Sequence, residues 1–140
     1  MTKNYKILGK YIKDVSGETP DIETYIFVKD QISKYQLNID ITSKPLKNKM
    51  IEIETLIKFA DKKENKKKSY FEINFATVVK IDDKIKEKKE LEKIVLCDVQ
   101  IEIYPYLEKS LLDLLHNSGY PDIKFEKKID FEELYNQRLN

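Results

Sequence analysis

The chain of 140 residues has no tryptophan, three glycines, four prolines, one cysteine and one histidine. A single cysteine, Cys97, cannot form a disulfide within the chain. A single histidine, His116, excludes metal sites built on a histidine pair, and three scattered glycines cannot build a phosphate-binding loop. No stretch approaches the roughly 18 apolar residues of a membrane-spanning helix. We therefore predict a cytoplasmic protein that is not an enzyme and that carries no metal, cofactor or membrane segment.

Charge is abundant but balanced. Charged residues make up 36% of the chain, yet 26 basic side chains stand against 25 acidic ones, for a net charge of +1. The overall electrostatic attraction to nucleic acid is therefore weak. Apolar residues make up 41%, and a chain of this length can bury a core without disulfides or metals. We predict one domain, residues 1–140.

Alternation of apolar and polar residues predicts four β-strands. These are residues 5–15, 35–42, 50–60 and 70–81. Gly9 predicts a bulge in the first strand, and Pro45 is expected to end the second. Residues 16–34 are predicted to form a turn, "SGETPD", followed by coil or a short edge strand. The carboxylates of Asp14 and Glu18 around this turn indicate either a plain surface loop or a docking point for a basic partner.

Helical patterns follow the strands. Residues 105–118 carry a leucine stripe, with Pro105 predicted at the first helical position and Gly119 as the stop. Asp130 is predicted to cap a second helix beginning at Phe131. Residues 82–98 are predicted as a short helix or loop. Strands first and helices last predict an α+β fold with an antiparallel sheet.

Two further features bear on partners. The lysine-rich loop from Lys62 to Lys68 is predicted to be a solvated hairpin connection, with a nucleic-acid-binding module as the alternative. Ala76 and Val78 make the second face of the last strand apolar. A strand with two apolar faces needs cover on both sides, which predicts an oligomer. An unrecognised enzyme would need a polar pocket around Cys97 or His116.

Three motifs, in order, resemble the SecB family of bacterial protein-export chaperones. They are "YIKDVSGETPD", "IYPYLEK" and "SGYPDIKFEKKIDFEELYNQRL". The resemblance implies a four-stranded antiparallel sheet with two C-terminal helices packed on one face, assembled as a homotetramer that is a dimer of dimers. It implies a holdase that binds unfolded preproteins in apolar grooves and delivers them to the translocation ATPase SecA. An alternative within the family is a chaperone dedicated to the antitoxin of a toxin–antitoxin system.

The resemblance also implies roles for individual residues. The acidic contacts for SecA map to Asp14, Glu18, Tyr70 and Glu72. The subunit interface maps to Phe71, Ile73 and Phe75. The client-binding positions map to Tyr104, Tyr106, Tyr120 and Phe125.

Overall fold

The computed structural model describes residues 4–61, 67–125 and 128–138, without the Arg138 side chain. A four-stranded antiparallel sheet has the strand order β1–β4–β3–β2. Its strands are β1 (Tyr5–Glu18), β2 (Gln36–Pro45), β3 (Met50–Ala60) and β4 (Tyr70–Ile81). All four predicted strands are confirmed, and so is the α+β fold class. A register shift between Ile7 and Gly9 confirms the predicted bulge.

The helices pack on one face of this sheet, which we call the inner face. They are α1 (Ile22–Gln31), α2 (Lys88–Lys93), α3 (Val99–Asn117) and α4 (Phe131–Arg138). A 3-10 turn, Ile32–Lys34, follows α1, and a π-helical segment, Ile94–Asp98, joins α2 to α3. Residues 88–117 are therefore one continuous helical rod. The opposite side of the sheet is called the outer face.

The prediction for residues 16–34 is wrong. β1 continues through Glu18, so "SGETPD" begins as strand and ends as a helix cap. The Asp21 carboxylate accepts a hydrogen bond of 2.7 Å from the Thr24 backbone N–H and starts α1. Aromatic and β-branched residues in this segment favour a strand by composition. Capping at Asp21 and contact of Tyr25 with Tyr120, at 5.5 Å between ring centroids, outweigh that preference.

Pro105 also lies elsewhere than predicted, in the interior of α3 rather than at its start. A proline here cannot donate a hydrogen bond to the carbonyl of Ile101. Both residues are exposed, so water can bind that carbonyl. The helical stop at Gly119 is confirmed by its φ of +106° directly after the helix.

The core lies between the inner face and α3. Buried side chains of β3 and β4 pack against a stripe on α3 formed by Ile103, Leu107, Leu111 and Leu115. One polar pair is buried among them, because Thr55 donates to the Gln100 side-chain oxygen at 2.9 Å. The Gln100 amide in turn donates to the Val95 carbonyl at 3.1 Å within the π-helical segment. The pair thus bonds the sheet to the rod at one point.

Part of the outer face of β4 is covered within the chain. Ala76 is fully buried, and Tyr11 lies directly opposite it on β1. The Tyr11 hydroxyl donates to Glu52 at 3.2 Å, and the Lys13 ammonium bonds both Glu52 and Glu54. This network crosses the apolar patch of β4. Ala76 is therefore covered without a second subunit, whereas Val78 is only half-buried, and the oligomer stays a prediction.

Candidate functional site

Four predicted partner-binding residues lie together on the outer face. In the β1–β4 register, Glu18 is opposite Tyr70, and Ser16 is opposite Glu72. Asp14 is opposite Asn74, one step along the same face. We call Asp14, Glu18, Tyr70 and Glu72 the acidic patch. The strand pairing brings together residues that are more than 50 positions apart in the chain.

The electrostatics of the acidic patch are negative at neutral pH. The Tyr70 hydroxyl donates to Glu72. Burial, followed by this carboxylate, raises the pKa of Tyr70 to about 12, so the phenol stays protonated as a donor. Ser16 donates to the Asp14 carboxylate at 3.2 Å. Lys58 lies opposite Glu72 on the β3 side and borders the patch. Carboxylates grouped on an accessible face attract a basic partner.

Phe71, Ile73 and Phe75 lie on the inner face, not on an exposed surface. Their exposed fractions are 1%, 0% and 5% within a single chain. Phe71 contacts Tyr120 edge-on, at 5.9 Å between ring centroids. Side chains buried in their own subunit cannot also face a second subunit. Their assignment to a subunit interface stays a prediction, which the burial within a single chain does not support.

The four predicted client-binding residues do not form one surface. Tyr104 and Tyr120 are 7% and 3% exposed, so both are core residues of the single chain. Tyr104 packs under α4 against Phe131, at 5.5 Å between centroids. Tyr106 is exposed, with the Lys10 ammonium 3.5 Å from its ring centroid. Phe125 is partly buried against Phe59. Tyr104 also lines a groove beside α3, and Tyr106 and Phe125 remain accessible, so the client-binding assignments stay predictions.

Two apolar grooves flank α4. The β2–α4 groove has a volume of about 520 Å³, and its apolar lining is Leu37, Ile39, Ile129 and Leu134. The second groove, which we call the α3 groove, lies between α3 and the residues at the start of α4. It has a volume of about 550 Å³. Its apolar lining includes Ile101, Leu112, Ile129 and Phe131. Charged side chains, such as Lys128, border both grooves.

Further apolar side chains are exposed on α1 and β1. On α1 these are Ile22, Ile26 and Phe27, the first of them 72% exposed. On β1 they are Leu8, Tyr11, Ile12 and Val15, each 45–48% exposed. The sequence predictions named Tyr11 and Ile12 only within a strand and none of the exposed apolar residues of α1, and of the residues that line the two grooves they named only Tyr104 as a client contact. Apolar periodicity shows which residues share a face, but it does not show which faces the chain itself covers.

The surroundings of Cys97 and His116 are those of residues that stabilise the fold. Cys97 is fully buried under α4, and burial raises the pKa of its thiol. The His116 ring lies 3.0 Å from the Ile123 carbonyl, just past the end of α3. Across residues 4–61, 67–125 and 128–138, no group of three or more His, Cys, Asp or Glu residues is arranged to hold a metal ion. None of the helices in these ranges has the length and apolarity needed to cross a bilayer.

The lysine-rich loop falls largely outside the described residues, which omit 62–66. Of its described members, Lys67 forms an ion pair of 3.4 Å with Glu23 on α1.

Comparisons with known proteins agree on one family. The family described as SecB, "Preprotein translocase subunit SecB", matches residues 1–140. A "Putative protein-export protein SecB" of Pelagibacter ubique is 61% identical over 140 residues, covering the whole of both chains. The "Protein-export protein SecB" of Parvibaculum lavamentivorans is 24% identical over 135 residues, covering 95% of this chain and 77% of its own length.

A solved structure shares the fold. It is a SecB-like chaperone of Mycobacterium tuberculosis, in complex with a peptide from an antitoxin. Its TM-score is 0.64 at 12% identity, covering 89% of this chain and 91% of that one. The full-length family match, the close relative and the fold lead to one conclusion: the chain belongs to the SecB family of protein-export chaperones.

Proposed function

We propose that this protein is a cytoplasmic holdase that binds unfolded preproteins on the two grooves beside α4 and delivers them to SecA. It has no catalytic activity of its own. The observation that carries the proposal is the pair of open apolar grooves, in a chain whose relatives are protein-export proteins. Concave surfaces lined by apolar side chains, with a few polar groups at their borders, are the usual form of a ligand-binding site.

The shape of the grooves suits extended chains of varied sequence. An extended polypeptide places alternate side chains on opposite sides, so apolar residues two apart can enter one groove. Binding of this kind rests on buried apolar area, about 25 cal/mol per Å² before ordering costs. Leu134, which is 49% exposed on α4, lines the β2–α4 groove and is the accessible apolar contact there. Specificity for client sequence should therefore be broad.

We expect Leu134→Asp to weaken client holding severalfold, because it places a carboxylate where an apolar client side chain would be buried. Gln137→Asp is the matched control, since it adds the same charge at an exposed position lining the same groove. The measurement is the stoichiometry needed to halve aggregation of a chemically unfolded client. If both variants hold clients as well as the parent protein, the β2–α4 groove is not the client site.

The acidic patch is proposed to bind a basic segment of SecA. Its carboxylates lie on the outer face, away from the client grooves. Such contacts give orientation and speed of encounter, and they weaken as salt rises. Separate surfaces would let the protein hold a client and contact SecA at the same time.

Asp14→Lys combined with Glu72→Lys should reduce SecA affinity at least tenfold and leave client holding intact. The reason is that two attractive contacts become repulsive while the grooves are unchanged. A control of equal charge change is Glu87→Lys with Glu90→Lys, two exposed acids at the start of α2. Binding can be followed by calorimetry at low and high salt. Equal loss of client holding and SecA binding would contradict the two separate roles.

A homotetramer, as a dimer of dimers, is proposed for the assembly. The edge strand β1 has 14 residues, and half-exposed apolar side chains lie along it. A long, apolar, unpaired edge is a template for pairing with another chain. Light scattering should report about four times the 16.7 kDa of one chain.

The antitoxin alternative has weaker support. The solved neighbour with an antitoxin peptide shares 12% of its sequence with this chain, so the likeness is one of fold. The relative that is 61% identical over the full length carries a protein-export name.

A further inference from the structure

We propose that one lysine-rich end of the sheet binds the surface of an anionic phospholipid membrane, with Leu46 entering the headgroup layer. This end consists of residues 4–6, 44–50 and 80–89, and we call it the basic end. Such binding goes beyond client holding and contact with SecA, and it depends on neither. Its basis is the charge that the strand pairing gathers here, together with one exposed leucine among the lysines.

The sheet topology brings three separate segments to the basic end. β1 starts here and β4 ends here, since Tyr5 pairs with Ile81. The hairpin between β2 and β3 lies beside them, because the Ile81 backbone N–H donates to the Lys49 carbonyl at 2.9 Å. The Asp82 backbone N–H donates to the Asn4 carbonyl, also at 2.9 Å, so the loop after β4 packs against the start of β1. Segments far apart in the chain thus form one surface.

The basic end carries nine lysines and three acidic residues, so its net charge is +6. All nine lysines are exposed. Two of the three acids have partners within the chain. The Asp82 carboxylate accepts from the Lys84 backbone N–H at 2.9 Å, and Asp83 forms an ion pair of 3.3 Å with Lys49. A lysine cluster of this size is attracted to the negative surface potential of a membrane that contains anionic lipid.

The net charge of the whole chain conceals this end, because the acidic patch lies toward the opposite end of β1. Lys6 and Glu18 are separated by about 40 Å along the strand, at a rise of roughly 3.3 Å per residue. The Debye length at physiological ionic strength is about 8 Å, so neither end cancels the field at the surface of the other. Within the basic end, Lys6 lies directly opposite Lys80, an unfavourable pairing of like charges that an anionic surface would relieve.

The β2–β3 hairpin presents an apolar side chain among these lysines. Leu46 is 38% exposed near the tip of the hairpin, between the exposed Lys44 and Lys47. The Leu46 backbone N–H donates to the Met50 carbonyl at 2.8 Å and closes the turn. Binding to a membrane interface strengthens with buried apolar area and with attraction to anionic lipid. The hairpin supplies both contributions at one place.

A membrane suits the basic end better than nucleic acid does. Single-stranded nucleic acids are bound in basic grooves where aromatic side chains stack on the bases. The one aromatic residue of the basic end, Tyr5, is half-buried, and its hydroxyl donates to the Asp98 carbonyl at 3.3 Å. Every cation of the basic end is a lysine, whereas arginine is the usual residue for bidentate recognition of nucleic acid. Diffuse attraction to a charged surface requires neither aromatic stacking nor arginine.

Flotation with phospholipid vesicles is the first measurement. The parent protein should float with vesicles of phosphatidylglycerol and phosphatidylcholine in equal parts, and not with vesicles of phosphatidylcholine alone. Lys47→Glu combined with Lys84→Glu should weaken this binding at least tenfold at low salt. The matched control is Lys34→Glu with Lys68→Glu, the same charge change at exposed positions near the other end of the sheet. The control should bind vesicles nearly as well as the parent.

Leu46→Ser separates a membrane from a soluble polyanion, because it leaves every charge in place. Vesicle binding should weaken severalfold, whereas attraction that is purely electrostatic would not change. All of these variants should hold an unfolded client as well as the parent does, which also shows that they fold.

Several results would overturn the membrane proposal. They are failure of the parent to float with anionic vesicles, equal losses in the two charge variants, and binding of RNA in place of vesicles. Release of the protein from vesicles by inorganic phosphate at constant ionic strength would point instead to a site for free phosphate. Unchanged vesicle binding by Leu46→Ser would overturn the insertion of Leu46. Because client holding is measured separately, none of these results bears on the proposed holdase function.

Discussion

Replacing Phe71 by alanine is expected to lower the free energy of unfolding by about 3–5 kcal/mol. The ring is 1% exposed and contacts Tyr120 edge-on. A Cβ built on Gly17 would lie 3.3 Å from the ring, so the strand backbone packs closely against it. Removal of the ring therefore leaves a cavity between β1, β4 and the C-terminal end of α3.

Urea unfolding measured at several protein concentrations tests this prediction. Val15→Ala is the control. Val15, on β1, also lies on the inner face of the sheet, but it is 46% exposed in the single chain. Its effect on the unfolding of a subunit should be below about 1 kcal/mol. If Phe71→Ala instead left subunit stability unchanged and only weakened association, Phe71 would be an interface residue, as the family resemblance first implied.

Gly119→Ala is expected to cost about 2 kcal/mol or more, for two reasons that act together. The residue has a φ of +106°, in the left-handed region where a side chain is strained. An added Cβ would also lie 2.6 Å from Cε1 of Tyr25. The Tyr25 hydroxyl donates to the Gly119 carbonyl at 2.9 Å. The substitution therefore disturbs both the end of α3 and the docking of α1.

Gly9→Ala is the matched control, since no atom lies within 4 Å of the Cβ it would add. Its effect should stay within about 1 kcal/mol. Tyr25→Ala added to Gly119→Ala should cost less than the sum of the two single changes, because it removes the clash. Additive losses would show that backbone strain, rather than contact with Tyr25, dominates. Thermal and urea unfolding of the four variants supply the measurement.

The strands were predictable because alternation along residues 35–42, 50–60 and 70–81 reports a sheet with one face buried. The cap at Asp130 was predictable as well, and the Glu133 N–H does donate to its carboxylate at 3.0 Å. The helix α1 was not predictable, because its apolar and polar residues are poorly separated around the helix. Its stability depends on the cap at Asp21 and on contacts with distant residues. Propensity carries no information about those contacts.

The faces of β1 could not be read from period-two alternation. A regular strand would place Ile12, Asp14 and Glu18 on one face. The two bulges instead turn Ile12 inward and keep both carboxylates outward beside Glu72. The acidic patch thus depends on irregularities whose effect on register only the fold reveals. Burial of Tyr104 and Tyr120 likewise depends on α4 and α1, whose positions are set by tertiary packing.

The buried amide of Gln100 fixes the position of the helical rod along the sheet. Apolar packing alone would tolerate a slide of one helical turn, about 5.4 Å, because leucines recur along α3. Such a slide would separate Gln100 from Thr55 and leave buried hydrogen-bonding groups unpaired. The hydrogen-bonded amide therefore selects one position of the helix along the sheet, whereas a purely apolar interface would allow several.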